Sequence, residues 1–240
     1  MGGTPMLLMM RLRSLSIADV LRISAWPFVM ATLATGLCYA AAGETLGFYL
    51  GPVMAVTLIL PVMVAGSARL RDAMIVAGAM VAAVAIGWVL TAFGANLSFI
   101  QWLACCLILA AYAFALTALA RATAAWFATL LGVVWLTWPV WTSPFLNITL
   151  ARCLTPAHPM FTLNAVLFDR GAWLEQPLMY RYSALGQDVP YTLPQSIWPC
   201  VIGHALIGLI LLGPGWWRAR GQSRMREAAA EPTAAPAPPP

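Results

Sequence analysis

Residues 147–195 read NITLARCLTPAHPMFTLNAVLFDRGAWLEQPLMYRYSALGQDVPYTLPQ, a polar stretch in a chain that otherwise prefers hydrocarbon. It carries His158, Asn164, Asp169, Arg170, Trp173, Glu175, Tyr180, Arg181 and Asp188, with Pro156, Pro159, Pro190 and Pro194 among them. The stretch is too long for a turn. It is also too aromatic and too proline-rich for a flexible Gly/Ser-type linker. The apolar segments on either side of it predict a structured insert held on one face of a membrane.

Composition supports that reading. Of the 240 residues, 62% are hydrophobic and 9% charged, whereas a soluble domain carries about 25% charged residues. One globular core cannot bury so much apolar surface, so lipid must solvate it. The expected fold is an all-α integral membrane protein with six transmembrane helices. The spans fall at about 26–42, 46–65, 74–93, 99–119, 124–144 and 197–217. Roughly twenty residues at a rise of about 1.5 Å cover a hydrocarbon core of about 30 Å. Gly43, Glu44 and Thr45 are the only residues between the first two spans. Pro52 and Pro61 predict a kink in the second. Ala79, Ala83 and Gly87 form a small-residue stripe in the third, the pattern that lets helix backbones approach closely. Trp135, Trp138 and Trp141 predict an aromatic belt at one end of the fifth.

Three regions follow: a cytoplasmic N-terminus over residues 1–25, a six-helix domain over 26–217 with the insert at 147–195, and a tail over 218–240. The tail is polar, then Ala/Pro-rich, and buries too little apolar surface to fold. Within the N-terminal region, Ser16 and Asp19 suggest a capped helix start. Arg13, Ser16, Asp19 and Arg22 recur every three residues, which predicts an interfacial helix over 16–23 with its polar face toward water.

All thirteen basic residues are Arg, and the formal net charge is +5. With the N-terminus inside, ten arginines lie on the cytoplasmic side. Only Arg152, Arg170 and Arg181 lie outside. That bias places both termini in the cytoplasm and the insert on the external or periplasmic face of a bacterial inner (plasma) membrane. No basic face of a folded domain is visible, so nucleic acid is excluded as a partner. A chain without Lys cannot form a P-loop or a Lys Schiff base. Energy for any driven work must come from a partner subunit or an ion gradient.

Candidates for chemistry are few. No GxSxG, HExxH or Ser/His/Asp signature is present, and no Cys/His spacing suits a metal. No catalytic residue and no metal ligand is assigned, and no cofactor is expected on this chain. His204 is an ionisable side chain inside a span, a functional hypothesis by default. A neutral, hydrogen-bonded packing role is preferred over ligation. Glu175 and Asp188, with Arg170 and Arg181 nearby in sequence, read as an ion-pair network rather than an acid/base couple. The five cysteines read as small apolar-tolerant residues rather than as a disulfide framework, although Cys153 and Cys200 could approach each other at the outer surface. His158, between two prolines, opens a segment at 156–167 that suggests a membrane-dipping hairpin, whose irregular backbone must be covered by protein.

An interfacial helix, six spans, a charged loop at 67–72 and a re-entrant-looking insert before the last span together resemble the permease subunit of ABC-2 type exporters. The resemblance covers residues 16–217 in order and spacing. It implies a dimer with a second permease copy or a homologous subunit. It also implies separate ABC ATPase subunits on the cytoplasmic side, which hold the ATP and magnesium. Ser16, Asp19, Arg22, Arg69, Arg71 and Asp72 would then form the coupling elements. His158, Asn164, Asp169, Trp173, Glu175, Tyr180, Arg181 and Asp188 would belong to the external cap. On this reading the chain is a transport subunit and not an enzyme. The rivals are a membrane anchor or assembly factor whose insert docks a periplasmic protein, and an accessory subunit of a membrane-embedded enzyme.

Overall fold

A computed structural model describes residues 17–67, 69–92, 98–142, 148–168 and 193–213. Among these the chain is entirely helical. We number the helices α1 (Ile17–Ala65), α2 (Leu70–Ala92), α3 (Phe99–Ala122), α4 (Ala125–Thr142), α5 (Ile148–Leu154), α6 (Pro159–Phe168) and α7 (Trp198–Gly213). A single 3-10 turn, Thr155–Ala157, links α5 to α6. Three segments are long and apolar enough to cross a membrane: Ile17–Leu37 within α1, Leu70–Leu90 within α2, and all of α3. Apolar runs favour helices here because backbone groups in lipid have only each other as partners.

The axial element is α3. Of its apolar window 61% is buried, against 44% in α2 and 11% in Ile17–Leu37. Its start is well specified: the Ser98 hydroxyl accepts from the Gln101 amide at 3.2 Å, and the Gln101 side chain accepts from the Ser98 amide at 3.0 Å. This reciprocal capping satisfies two donors that a helix start leaves open. Around α3 pack α1, α2, α4 and α6, and α7 meets it through Tyr112 and Phe114.

Three polar contacts define the two ends of the bundle. Arg121, in the last turn of α3, donates to the Ser67 carbonyl in the α1–α2 connection. At the other end of α3, Gln101 Nε2 donates to the Val166 carbonyl at 2.9 Å. That carbonyl lies in the last turn of α6, where carbonyls lack helical donors. Nearby, Trp102 Nε1 donates to the Ala85 carbonyl at 3.0 Å, which sets α2 and α3 antiparallel. The short helices α5 and α6 therefore sit toward the end opposite Arg121 and Ser67.

Several expectations change. The interfacial helix is not a separate element: from Ile17 onward it is the first part of α1, whose backbone stays helical past Pro27 and through Gly43, Glu44 and Thr45. An interior proline removes one ladder bond but does not oblige the chain to turn. Trp135 and Trp138 do not form an outward belt. Trp138 is 6% exposed, and both rings turn inward onto His158. At Gly87, one member of the small-residue stripe of α2, an added Cβ would meet nothing within 4 Å. The tight approaches are at Gly132 of α4 and Gly208 of α7. A Cβ on Gly132 would lie 2.8 Å from Thr57 Cγ2, and one on Gly208 would overlap the Phe114 ring. In lipid, such close packing replaces the hydrophobic drive that holds soluble helices together.

Candidate functional site: a histidine and tryptophan cluster in the bundle

The site begins with a proline. Pro139 lies inside α4 and has no amide hydrogen. The carbonyl four residues earlier, on Trp135, thus loses its helical donor. His158 occupies the gap. Its Nε2 is 3.1 Å from the Trp135 oxygen and 3.2 Å from the Leu136 oxygen. Both partners are acceptors, so Nε2 carries the hydrogen and the neutral ring leaves Nδ1 as an acceptor. That Nδ1 is buried without a partner. A charged ring would place a second N–H in the same apolar surroundings with nothing to accept it.

The backbone around His158 is built to deliver it. Pro156 helps open the 3-10 turn, and the His158 amide closes that turn on the Thr155 carbonyl at 3.1 Å. Pro159 then starts α6, where a missing amide hydrogen costs nothing. The Thr162 hydroxyl donates back to the His158 carbonyl at 2.9 Å. Three rings enclose the imidazole: Phe161 at 5.1 Å between centroids, Trp135 at 5.5 Å and Trp138 at 5.8 Å. His158 and Asn164 are both 0% exposed. Two of the residues expected on the external insert are therefore core residues.

A second histidine lies across Trp135. His204 of α7 packs its ring edge-on to Tyr112 at 5.3 Å and lies 6.3 Å from Trp135. Its Nδ1 is 2.8 Å from the Cys200 carbonyl, one turn earlier. The acceptor sets the tautomer: Nδ1 donates and Nε2 keeps a free lone pair. Tyr112 is tied in the opposite direction. Thr57 donates its only hydroxyl hydrogen to the Val53 carbonyl at 2.7 Å, so the Tyr112 hydroxyl must donate to Thr57 Oγ1 at 2.8 Å. This pair is the polar link between α1 and α3.

Between α3, α4 and α7 lies a cavity of about 210 Å³. Tyr112, Leu116, Leu119, Gly132, Trp135 and His204 line its interior. Leu131 and Ile207, 38% and 50% exposed, stand at its mouth.

The other expected site residues are dispersed. Asp19 and Arg22 lie in the first turns of α1, while Arg69, Arg71 and Asp72 flank the start of α2. The 44 residues from Arg22 to Ala65 trace roughly 65 Å of helix, so the two sets are not brought together. Arg71 and Asp72 form a half-exposed contact at 3.5 Å, and Arg121 joins that end through Ser67. Ser16, Asp169, Trp173, Glu175, Tyr180, Arg181 and Asp188 lie outside the described residues. Cys153 and Cys200 are unpaired, the first exposed and the second buried. Among the described residues no three His, Cys, Asp or Glu side chains gather as metal ligands.

One element of the site was open to sequence reasoning but was not used: Pro139. An interior proline announces an orphaned carbonyl four residues earlier. A buried histidine is one of the few side chains able to answer it.

Among the described residues, the fold and this site define an all-helical protein with apolar helices long enough to cross a membrane. No family model, no curated protein and no solved structure matches the chain.

Proposed function

We propose that this chain is the transmembrane permease subunit of an ATP-driven exporter of the ABC-2 type. The observation that carries the reading is the α5–turn–α6 unit ahead of α7, whose turn residue Thr155, His158 and the first half of α6 are buried although α5 is largely exposed. Leu136, which His158 touches, is eleven residues beyond Ala125, or about 16 Å along α4. That is roughly half of a hydrocarbon core of about 30 Å. A helix–break–helix unit that enters from the end opposite Arg69, Arg71 and Arg121 and stops at mid-depth is a re-entrant hairpin, closing the exit side of a transport path.

The remaining parts follow from that assignment. The arginine-bearing end faces the cytoplasm, where separate ATPase subunits dock, and both chain termini lie on that side. The chain works as a dimer with a second permease copy, and alternating access moves the spans at their interface. Ile17–Leu37 is apolar yet hardly buried, so a straight continuation of α1 would leave it in water. On this reading Ile17–Leu37 lies against lipid and crosses the bilayer in its own right.

Affinity purification of the full chain from its native membrane tests the reading. An ATP-hydrolysing subunit should co-purify, and R69E/R71E should release it while leaving membrane insertion intact. A periplasmic protein held by the insert, with no ATPase, would replace the exporter with an anchor.

A further inference from the structure

The cavity between α3, α4 and α7 carries an inference that does not depend on the transport reading. An engineered apolar cavity of about 150 Å³ stays dry and binds benzene. At about 210 Å³, this one has room for a single ring with a substituent. Most of its wall is aliphatic: Leu116, Leu119, Leu131 and Ile207. Two of the residues that line it, His204 and Tyr112, carry polar atoms, and in each the atom left without a donor role is an acceptor.

The hydrogen-bond directions make them so. His204 uses its N–H on the Cys200 carbonyl, which leaves Nε2 unpartnered on a side chain only 5% exposed. Tyr112 uses its O–H on Thr57, which leaves an oxygen lone pair. Trp135 has a donor without a partner, but its Nε1 is fully enclosed and not presented to the cavity. An apolar ligand with no polar group would leave Nε2 of His204 unfilled. A ligand with its own hydrogen would satisfy it, and buried polar groups discriminate strongly in that direction.

We propose that this cavity is a binding site for a monocyclic hydroxylated apolar molecule of phenol size. The ligand's hydroxyl donates to His204 Nε2, and its ring packs against Trp135 and Leu116. It enters sideways, between Leu131 and Ile207. The ring of Tyr112 forms the inner wall. Gly132 admits the close approach of α4 on that side, since a side chain there would collide with Thr57 and Leu116.

The test uses the full chain in detergent, with 4-fluorophenol and 4-fluorotoluene as probes and ¹⁹F NMR as readout. The two probes differ in the hydroxyl. 4-Fluorophenol should bind saturably at one site, about fivefold or more tighter than 4-fluorotoluene, the ratio expected for one buried hydrogen bond. His204→Phe keeps a ring but removes the acceptor, so the preference should fall to about one. Ile207→Trp alters a half-exposed position at the mouth, where folding is not at stake, and should abolish saturable binding of both probes. Equal binding of the two probes by the unaltered chain would overturn the proposal. So would a linear, unsaturable signal that reports partition into the micelle, or unchanged binding in the Ile207→Trp chain.

Discussion

His158 takes the place of the amide hydrogen that Pro139 does not have. Its Nε2 lies 3.1 Å from the Trp135 carbonyl oxygen, which the proline leaves without a helical donor. The proline break in α4 and the proline-bracketed histidine before α6 are thus two halves of one interaction. They are 19 residues apart in the chain and meet inside the bundle.

That pairing predicts strong non-additivity. His158→Phe keeps an aromatic ring but leaves the Trp135 carbonyl unsatisfied, at a cost of about 1–3 kcal/mol. Pro139→Ala returns the amide hydrogen and should recover part of that loss. Unfolding of the four variants in detergent, read as a double-mutant cycle, measures the coupling. Purely additive effects would break the link between the two residues.

At Gly132 the expected outcome is a steric one. A Cβ there lies 2.8 Å from Thr57 Cγ2 and 3.1 Å from Leu116 Cδ2. Gly132→Ala should destabilise the protein by about 1–3 kcal/mol through overpacking. Adding Thr57→Ser removes the offending methyl and keeps the hydroxyl that Tyr112 needs, so it should restore much of the stability. Thermal unfolding of the single and double variants checks both steps.

Gly208 sets the distance between α7 and α3. Gly208→Ala drives a methyl group into the Phe114 ring. A loss of about 1–3 kcal/mol is expected, and Phe114→Leu should relieve it. A Gly208→Ala chain as stable as the parent would mean that α7 does not pack this closely on α3.

The cysteines offer a direct map of accessibility. Cys153 is exposed, while Cys105 and Cys200 are both 0% exposed. A maleimide should modify Cys153 in the folded protein and reach Cys105 and Cys200 only after denaturation, since reaction needs an accessible thiolate. Mass spectrometry before and after unfolding reads the pattern. In intact spheroplasts, a membrane-impermeant maleimide should label Cys153 from outside if the insert faces the exterior.

The helices themselves were legible because lipid leaves a chain little choice. A run of about twenty apolar residues must satisfy its own backbone, and the helix does so locally. The boundaries expected at 74–93, 99–119 and 124–144 fall within a few residues of α2, α3 and α4. The helix break at 155–158 was also readable, because Pro156 and Pro159 interrupt any continuous helix there. What could not be read was partnership. Trp135 and Trp138 look the same in sequence whether they face lipid or protein, and the structure turns both onto His158. The Ala79, Ala83 and Gly87 stripe looks like a close-packing surface, yet a Cβ added at Gly87 meets open space while one at Gly132 or Gly208 collides with its neighbours. The chain reversal at Gly43 was read from local composition, whereas α1 runs on helically through it.

Sequence alone therefore determined the apolar and helical character of the described segments, because both depend on composition and on neighbours along the chain. The tertiary structure decided which polar groups meet: His158 with the carbonyl freed by Pro139, and Tyr112 with Thr57. It also decided that His204, whose Nδ1 is taken by the Cys200 carbonyl, lines a cavity. Hydrogen bonds have direction and act over about 3 Å, so their partners are settled only when helices distant in the chain are brought side by side.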